Sequence, residues 1–326
     1  MTMKVIDSHA HILDRAYLDS LTTELGMTAT VSESGQTLLR TGNTTVAWYK
    51  DEFFNLEDRI RTMDRQGVDM RILSLSSPSV YEWAIDEQIR MARYINDQTA
   101  KACAQYPTRL QGLATLPLSD TKAALSELDR SLDELGLIGV AIGSNVGGKP
   151  LNHPDLEPVW AAINRRQIAV VEHPMLPLGS DHMDEFELPL RVGFVYDTTT
   201  AIARMIYGGV FERYPDFPFI IAHTGGALLG LLERLDNGYR IFSDCRKYIS
   251  KLPSEYARNL YYDTCSFYGP ALEMARQIVG TERLLWGADD PFIGAGTAHV
   301  TDMAIPEAEK AMILAGNAQR IFKLGA

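Results

Sequence analysis

The segment KVIDSHAH, Lys4 to His11, has the length and apolar start of a strand. Successive strand side chains point to opposite faces, so His9 and His11 share one face. Similar runs recur outward from it: DMRILSL from Asp69, RLQGLATL from Arg109, IGVAIG from Ile138, IAVVEH from Ile168, FPFIIAH from Phe217, NLYYDT from Asn259 and RLLWGAD from Arg283. Amphipathic stretches lie between them, at Asn55 to Gln66, Asp86 to Gln105, Thr121 to Leu135, Pro154 to Arg166, Thr198 to Tyr214, Leu228 to Phe242 and Pro270 to Val279, with a last one at Pro306 to Phe322. Eight strands alternating with eight helices are the count of a (β/α)8 TIM barrel, whose functional groups collect at the C-terminal ends of the strands. Helix signals agree: Ser119 or Asp120 can cap a start, Gly136 follows an end, and Pro306 suits a first turn. A doubly wound sheet is the competing α/β fold, but no GxGxxG follows an early strand and no GxxxxGK[ST] is present.

One region departs from this rhythm. Asp14 to Phe54 separates the first strand from its helix by about forty residues, far beyond a usual βα loop. It reads as an insertion over the active-site face, and Arg15, Arg40, Trp48, Tyr49 and Lys50 within it suit a lid over an aromatic or anionic ligand, or a flap at a subunit contact. No composition break or repeat divides the rest, so residues 1–326 read as one barrel domain carrying the 14–54 insertion.

Hydrophobic residues make up 46% of the 326-residue chain and charged residues 22%, which excludes disorder and leaves enough apolar side chain for a large core. The net charge of −11 has the wrong sign for a nucleic-acid or anionic-membrane binder. The longest stretch without Asp, Glu, Lys or Arg, Phe217 to Leu232, has 16 residues and is too short to span a bilayer. The N-terminal segment lacks the apolar run of a signal peptide, so a cytoplasmic location is expected. Cys103, Cys245 and Cys265 form no CxxC pair, which argues against a disulfide framework or a thiolate zinc site. Any metal is expected on His and carboxylate.

His173 ends the fifth strand, His223 the sixth, and Asp289 the eighth, in WGADDPF. With His9 and His11 they would meet at one barrel mouth. A histidine at a strand end is usually an ordinary hydrogen-bonded residue, and HxH alone is a weak motif. Four imidazoles and a carboxylate at strand ends together are hard to explain structurally. Zinc accepts that mixed set, whereas Mg2+ or Ca2+ would call for mostly oxygen. Asp263, late in the seventh strand, can orient an imidazole. Asp7 and Glu172 point to the opposite strand face, and Asp290 competes with Asp289 for the same turn. His153 and His182 are expected on solvated loops, and the glycine pairs at Gly147, Gly208 and Gly225 in turns.

The successive segments IDSHAH, VVEHP, GGVFERYPDFPFIIAHTGG, NLYYDT, LLWGADDPF and GNAQRIFKL resemble the amidohydrolase superfamily along nearly the whole chain. Within it they look like the amidohydrolase-2 group of metal-dependent decarboxylases, closest to its 2-amino-3-carboxymuconate-6-semialdehyde decarboxylase branch. The resemblance implies metal ligands His9, His11, His173 and Asp289, a catalytic His223, and Zn2+ with Mn2+ second. It also implies a dimer or higher homo-oligomer in which Arg234 reaches a neighbouring subunit's site to hold a substrate carboxylate. Other relatives in the group have Glu where this chain has His9. A second, same-chain arginine of that branch aligns with Ala47, so Arg40 and Lys50 become the cationic candidates. Asp290 stands where relatives carry Tyr or Trp and is a candidate substrate contact. The function implied is non-oxidative decarboxylation of an aromatic or conjugated carboxylic acid, with Asp289 active in the chemistry as well as in binding. Hydrolysis of a lactone, amide or C–C bond, or hydration, is the alternative on the same barrel.

Overall fold

The computed structural model describes residues 3–177, 179 and 183–325; His182 lies outside them. Eight parallel strands form one sheet: β1 (Ile6–Ile12), β2 (Met70–Leu75), β3 (Leu110–Thr115), β4 (Gly139–Gly143), β5 (Ala169–His173), β6 (Phe219–Ile221), β7 (Tyr261–Asp263) and β8 (Leu284–Leu285). They neighbour one another in chain order. The circle closes where Ser8 N–H donates to Trp286 O (3.0 Å) and His11 N–H to Asp290 O (2.7 Å).

Alternation along the strands builds two apolar layers. Ile6, Ile72, Leu113, Ala141, Val171, Ile220, Tyr261 and Leu285, one from each strand, belong to a single buried cluster inside the barrel. Ala315, Ala318, Ile321 and Phe322 from the last helical run join it. Neighbours of opposite parity, such as Leu73, Val140, Val170, Phe219, Tyr262 and Leu284, pack outward with the helices. Asn55 caps the helix Leu56–Gln66 by accepting from Asp58 N–H, and Asp120 caps Thr121–Asp133 through Ala123 N–H. The region read as Thr198 to Tyr214 starts earlier, with a π-turn at Pro189–Gly193 running into Phe194–Tyr207, and breaks at Gly209 before Val210–Arg213. Three successive threonines, Thr198 to Thr200, weaken the local helix signal there.

Residues 14–54 are mostly ordered secondary structure: a helix at Arg15–Thr23 and an antiparallel sheet of Thr28–Val31, Thr37–Thr41 and Thr44–Tyr49. No helix among the described residues is long and apolar enough to cross a membrane. The three cysteines are free.

Candidate metal centre

The barrel brings the five strand-end residues together, with help from an irregularity that pattern reading passes over. Ile6 and His9 differ in parity, yet both face inward, because the β1–β2 register shifts by one residue between Asp7 and Ala10. Such a bulge re-aims side chains beside a site. His9 Nε2 lies 3.1 Å from His11 Nε2, and Asp289 Oδ1 lies 3.6 Å from the first and 3.3 Å from the second. His9, His173, His223 and Asp289 each offer a ligand atom, all within 4.8 Å of one another. His223 Nε2 stands 3.7 Å from Asp289 Oδ2.

Hydrogen bonds on the far side of each ring fix which way its lone pair points. His9 Nδ1 donates to Asp263 Oδ2 at 2.6 Å, and His173 Nδ1 to Pro174 O at 3.1 Å. Ser74 Oγ directs its single proton to Ala10 O, so it accepts from His11 Nδ1 at 3.2 Å. All three Nε2 atoms are therefore left facing the cluster beside a carboxylate. Lone pairs only 3.1 Å apart repel unless a cation stands between them, so this donor set fits a divalent ion. The titration shifts show the same demand for positive charge. Burial opposes a charge on His9, but Asp263, Asp289 and Asp7 outweigh it and push the ring up to about 9. Burial holds His11 and His173 down, so those rings are neutral. Burial would also raise the Asp289 carboxyl, yet the rings of His11 and His223 keep it well below the usual range.

Two of these residues sit in left-handed backbone, which non-glycine residues rarely adopt: His223 (φ 51°) and Asp289 (φ 51°). The His223 turn is held by Asp263, whose Oδ1 accepts from Thr224 N–H and Cys265 N–H, both at 2.9 Å. The glycines that follow are required by space: a Cβ on Gly225 would lie 2.7 Å from the Tyr262 ring, and one on Gly226 2.5 Å from Val195 O. Asp263 thus orients an imidazole and anchors the next loop at once.

The cluster opens into a cavity of about 540 Å3, whose walls include Ala47, Trp48, Phe194, Phe267 and Phe292. The Phe292 ring lies 5.4 Å from that of His11 and 5.6 Å from that of Trp48. The expected cations are elsewhere. Arg40 Nε donates to Thr45 Oγ1 with Nη2 4.0 Å from Glu187, and Lys50 Nζ lies 3.8 Å from Glu52; neither lines the cavity. Arg234 is exposed on the helix Leu232–Ile241, outside the cavity of its own chain.

Asp290, expected as a substrate contact, is also absent from the lining and turns to the other side of the strand ends. Its Oδ1 lies 2.9 Å from Arg71 Nη1, and its Oδ2 is 3.5 Å from Arg59 Nη2. Arg71 Nε in turn donates to Asp7 Oδ2, while Asp7 Oδ1 accepts from His9 N–H and Ala288 N–H. Burial raises Asp7 to about 6 against the pull of Arg71. Glu172 faces Thr198, which donates to it at 2.9 Å, and burial pushes it up to about 8. His153 lies on a loop with its side chain 39% exposed, as expected, and caps a short turn by accepting from Asp155 N–H.

Sequence reading missed Arg191, Ser77 and Ser266 in the cavity wall, and the buried Arg71 behind it. An arginine in the middle of an apolar strand was the available signal for Arg71. Arg191 fell in the interval before the helix start, which was placed at Thr198.

The sequence model of the amidohydrolase family matches residues 6–324. This chain belongs to that family. It is 33% identical over 272 residues to a 2-amino-3-carboxymuconate-6-semialdehyde decarboxylase of Dictyostelium discoideum, covering 82% of this chain and 76% of that one. It resembles the crystal structure of 5-carboxyvanillate decarboxylase from Sphingomonas paucimobilis with a TM-score of 0.87 and 27% identity, covering 99% of this chain and 100% of the other. A dihydroxybenzoic acid decarboxylase from Polaromonas sp. JS666, solved with bound manganese and the inhibitor 2-nitroresorcinol, matches with a TM-score of 0.82 and 25% identity over 99% and 98% of the two chains.

Proposed function

We propose that the chain is a metal-dependent decarboxylase that removes CO2, without oxidation, from an aromatic or conjugated carboxylic acid. The observation that carries this reading is the convergence of three Nε2 lone pairs and the Asp289 carboxylate at the floor of a cavity walled by aromatic rings. The three decarboxylases it resembles support it.

His9, His11, His173 and Asp289 would hold the ion, Zn2+ first by donor preference and Mn2+ second. When bound, it supplies Lewis acidity toward a substrate oxygen. The chain's residues account for the rest. An aryl carboxylate loses CO2 once the carbon bearing it takes a proton; the C–C bond then breaks and its electron pair restores conjugation. His223 would deliver that proton, taken up from solvent, to the substrate carbon, with the ionised Asp289 carboxylate 3.7 Å away as its relay partner. His223 Nδ1 is buried without a partner, so the ring is engaged only through its Nε2 edge toward Asp289. The aromatic side chains in the wall suit the faces of a planar, conjugated substrate. Arg234, exposed on its own chain, is proposed to reach the cavity of a second copy in a homodimer.

The test is CO2 release from a panel of hydroxybenzoates, carboxymuconate-like acids and lactones. Stoichiometric CO2 from an acid is expected, and a ring-opened acid without CO2 would instead make the enzyme a hydrolase. His223→Ala should keep metal and lose turnover; loss of metal would make that ring a ligand.

A further inference from the structure

Three polar features of the cavity wall have no part in the chemistry above. Ser77 Oγ and Ser266 Oγ are shut off from solvent without a hydrogen-bond partner, and both residues line the cavity. Buried hydroxyls without partners are rare in native proteins; closed off as they stand, each needs a turn about χ1 to reach the cavity, where a ligand would satisfy it. The third is Arg191, the one lysine or arginine among the described lining residues.

Arg191 lies in the helical run Pro189–Tyr207, where Leu190, Arg191, Phe194 and Val195 all face the cavity. The Phe194 ring is 6.1 Å from that of His173, and Arg191 stands roughly one turn from Phe194 on the same face. Arg191 therefore lines the cavity on the far side of Phe194 from the imidazole cluster, about one helical turn along. Among the described residues it has no carboxylate partner; the nearby Glu187 side chain approaches Arg40 instead.

We propose that Arg191 determines specificity: it binds a second carboxylate on the substrate, remote from the end that loses CO2, while Ser77 and Ser266 hydrogen-bond to polar substituents between the two ends. The preferred substrate is then an aromatic dicarboxylic acid. One planar guanidinium matches one carboxylate in bidentate fashion. The assignment of the reacting end rests on the decarboxylase reading; the binding of the far end does not.

The test is calorimetric titration of the metal-loaded protein with isophthalate and with benzoate, which differ by the second carboxylate. The wild type should bind isophthalate more tightly. Arg191→Met should weaken isophthalate by about tenfold to a hundredfold and benzoate by less than about threefold, with Arg191→Lys in between. Unchanged isophthalate affinity in Arg191→Met, or an equal loss for both ligands, would overturn the proposal. A thermal melt checks that the variants fold. In turnover, Arg191→Met should raise KM for a hydroxyisophthalate and leave kcat near wild type. If no acid yields CO2 but the binding pattern holds, the decarboxylase reading fails and the role of Arg191 stands.

Discussion

Asp289 and Asp290 are adjacent in sequence and open onto two buried charge clusters built on opposite principles. On the outer side, Asp290 and Asp7 face Arg71 and Arg59, two carboxylates against two guanidinium groups, and the cluster is neutral as the chain makes it. On the inner side, Asp289 and Asp263 face four imidazoles, three of them with inward lone pairs, and among the described residues no lysine or arginine joins them. The chain provides its own cations where it ties β1, β2 and β8 together, and leaves a positive charge to be supplied where the cavity begins. A buried charge without a partner is costly, so the inner cluster is stable only with a bound cation or an added proton.

The sharpest way to break this contrast is Arg71→Met. It strands Asp7 and leaves Asp290 with Arg59 alone, and removing one partner of a buried pair should cost about 3–5 kcal/mol in chemical denaturation of the metal-loaded protein. A loss below about 1 kcal/mol would mean that the outer cluster is not what closes the barrel. Asp263→Asn should act on the inner side alone: metal affinity falls by about tenfold to a hundredfold by competition titration, because His9 loses its carboxylate partner. Unchanged affinity would remove Asp263 from the site.

Gly226→Ala probes the turn that carries His223. With φ at +60° and a Cβ 2.5 Å from Val195 O, the backbone must shift at a cost of about 1–3 kcal/mol. The expected signature is a fall in kcat with metal content intact. The smallest effect belongs to a surface pair outside both clusters. Arg276 and Gln277 hold Glu273 down to about 2 from a usual 4.5, so its contribution is present above about pH 4.5 and is lost as pH falls toward 2. The pair is largely exposed, and Glu273→Gln should change stability at neutral pH by no more than about 0.5 kcal/mol. A larger change would show that exposed charges rival the buried ones here.

Much of this arrangement could be read from residues. The eight strand runs cover the eight barrel strands but for Ile12, because inward and outward apolar residues alternate at period two and Gly, Pro and Asp punctuate them. His9, His11, His173, His223 and Asp289 were marked by their strand-end positions alone. What escaped reading depends on backbone geometry. The bulge between Asp7 and Ala10 leaves no trace in composition. Nothing in the letters Asp-Asp-Pro says that the first aspartate adopts φ 51° and faces inward while the second turns to Arg71. The cations sought in residues 14–54 were exposed loop candidates in sequence, but strand pairing there turns Arg40 toward Thr45, and the cavity receives Ala47 and Trp48 instead. Arg191 was missed because an early π-turn extends its helix back past the threonines.

Elemental analysis of the purified protein, after equilibration with Zn2+ or Mn2+ and removal of free metal, bears most directly on the inner cluster. Wild type should retain about one divalent ion per chain, Asp289→Asn far less, and chelator-treated protein should lose turnover and regain it when metal is restored. Metal-free protein that turns over at the full rate would contradict the reading of these imidazoles as a metal centre.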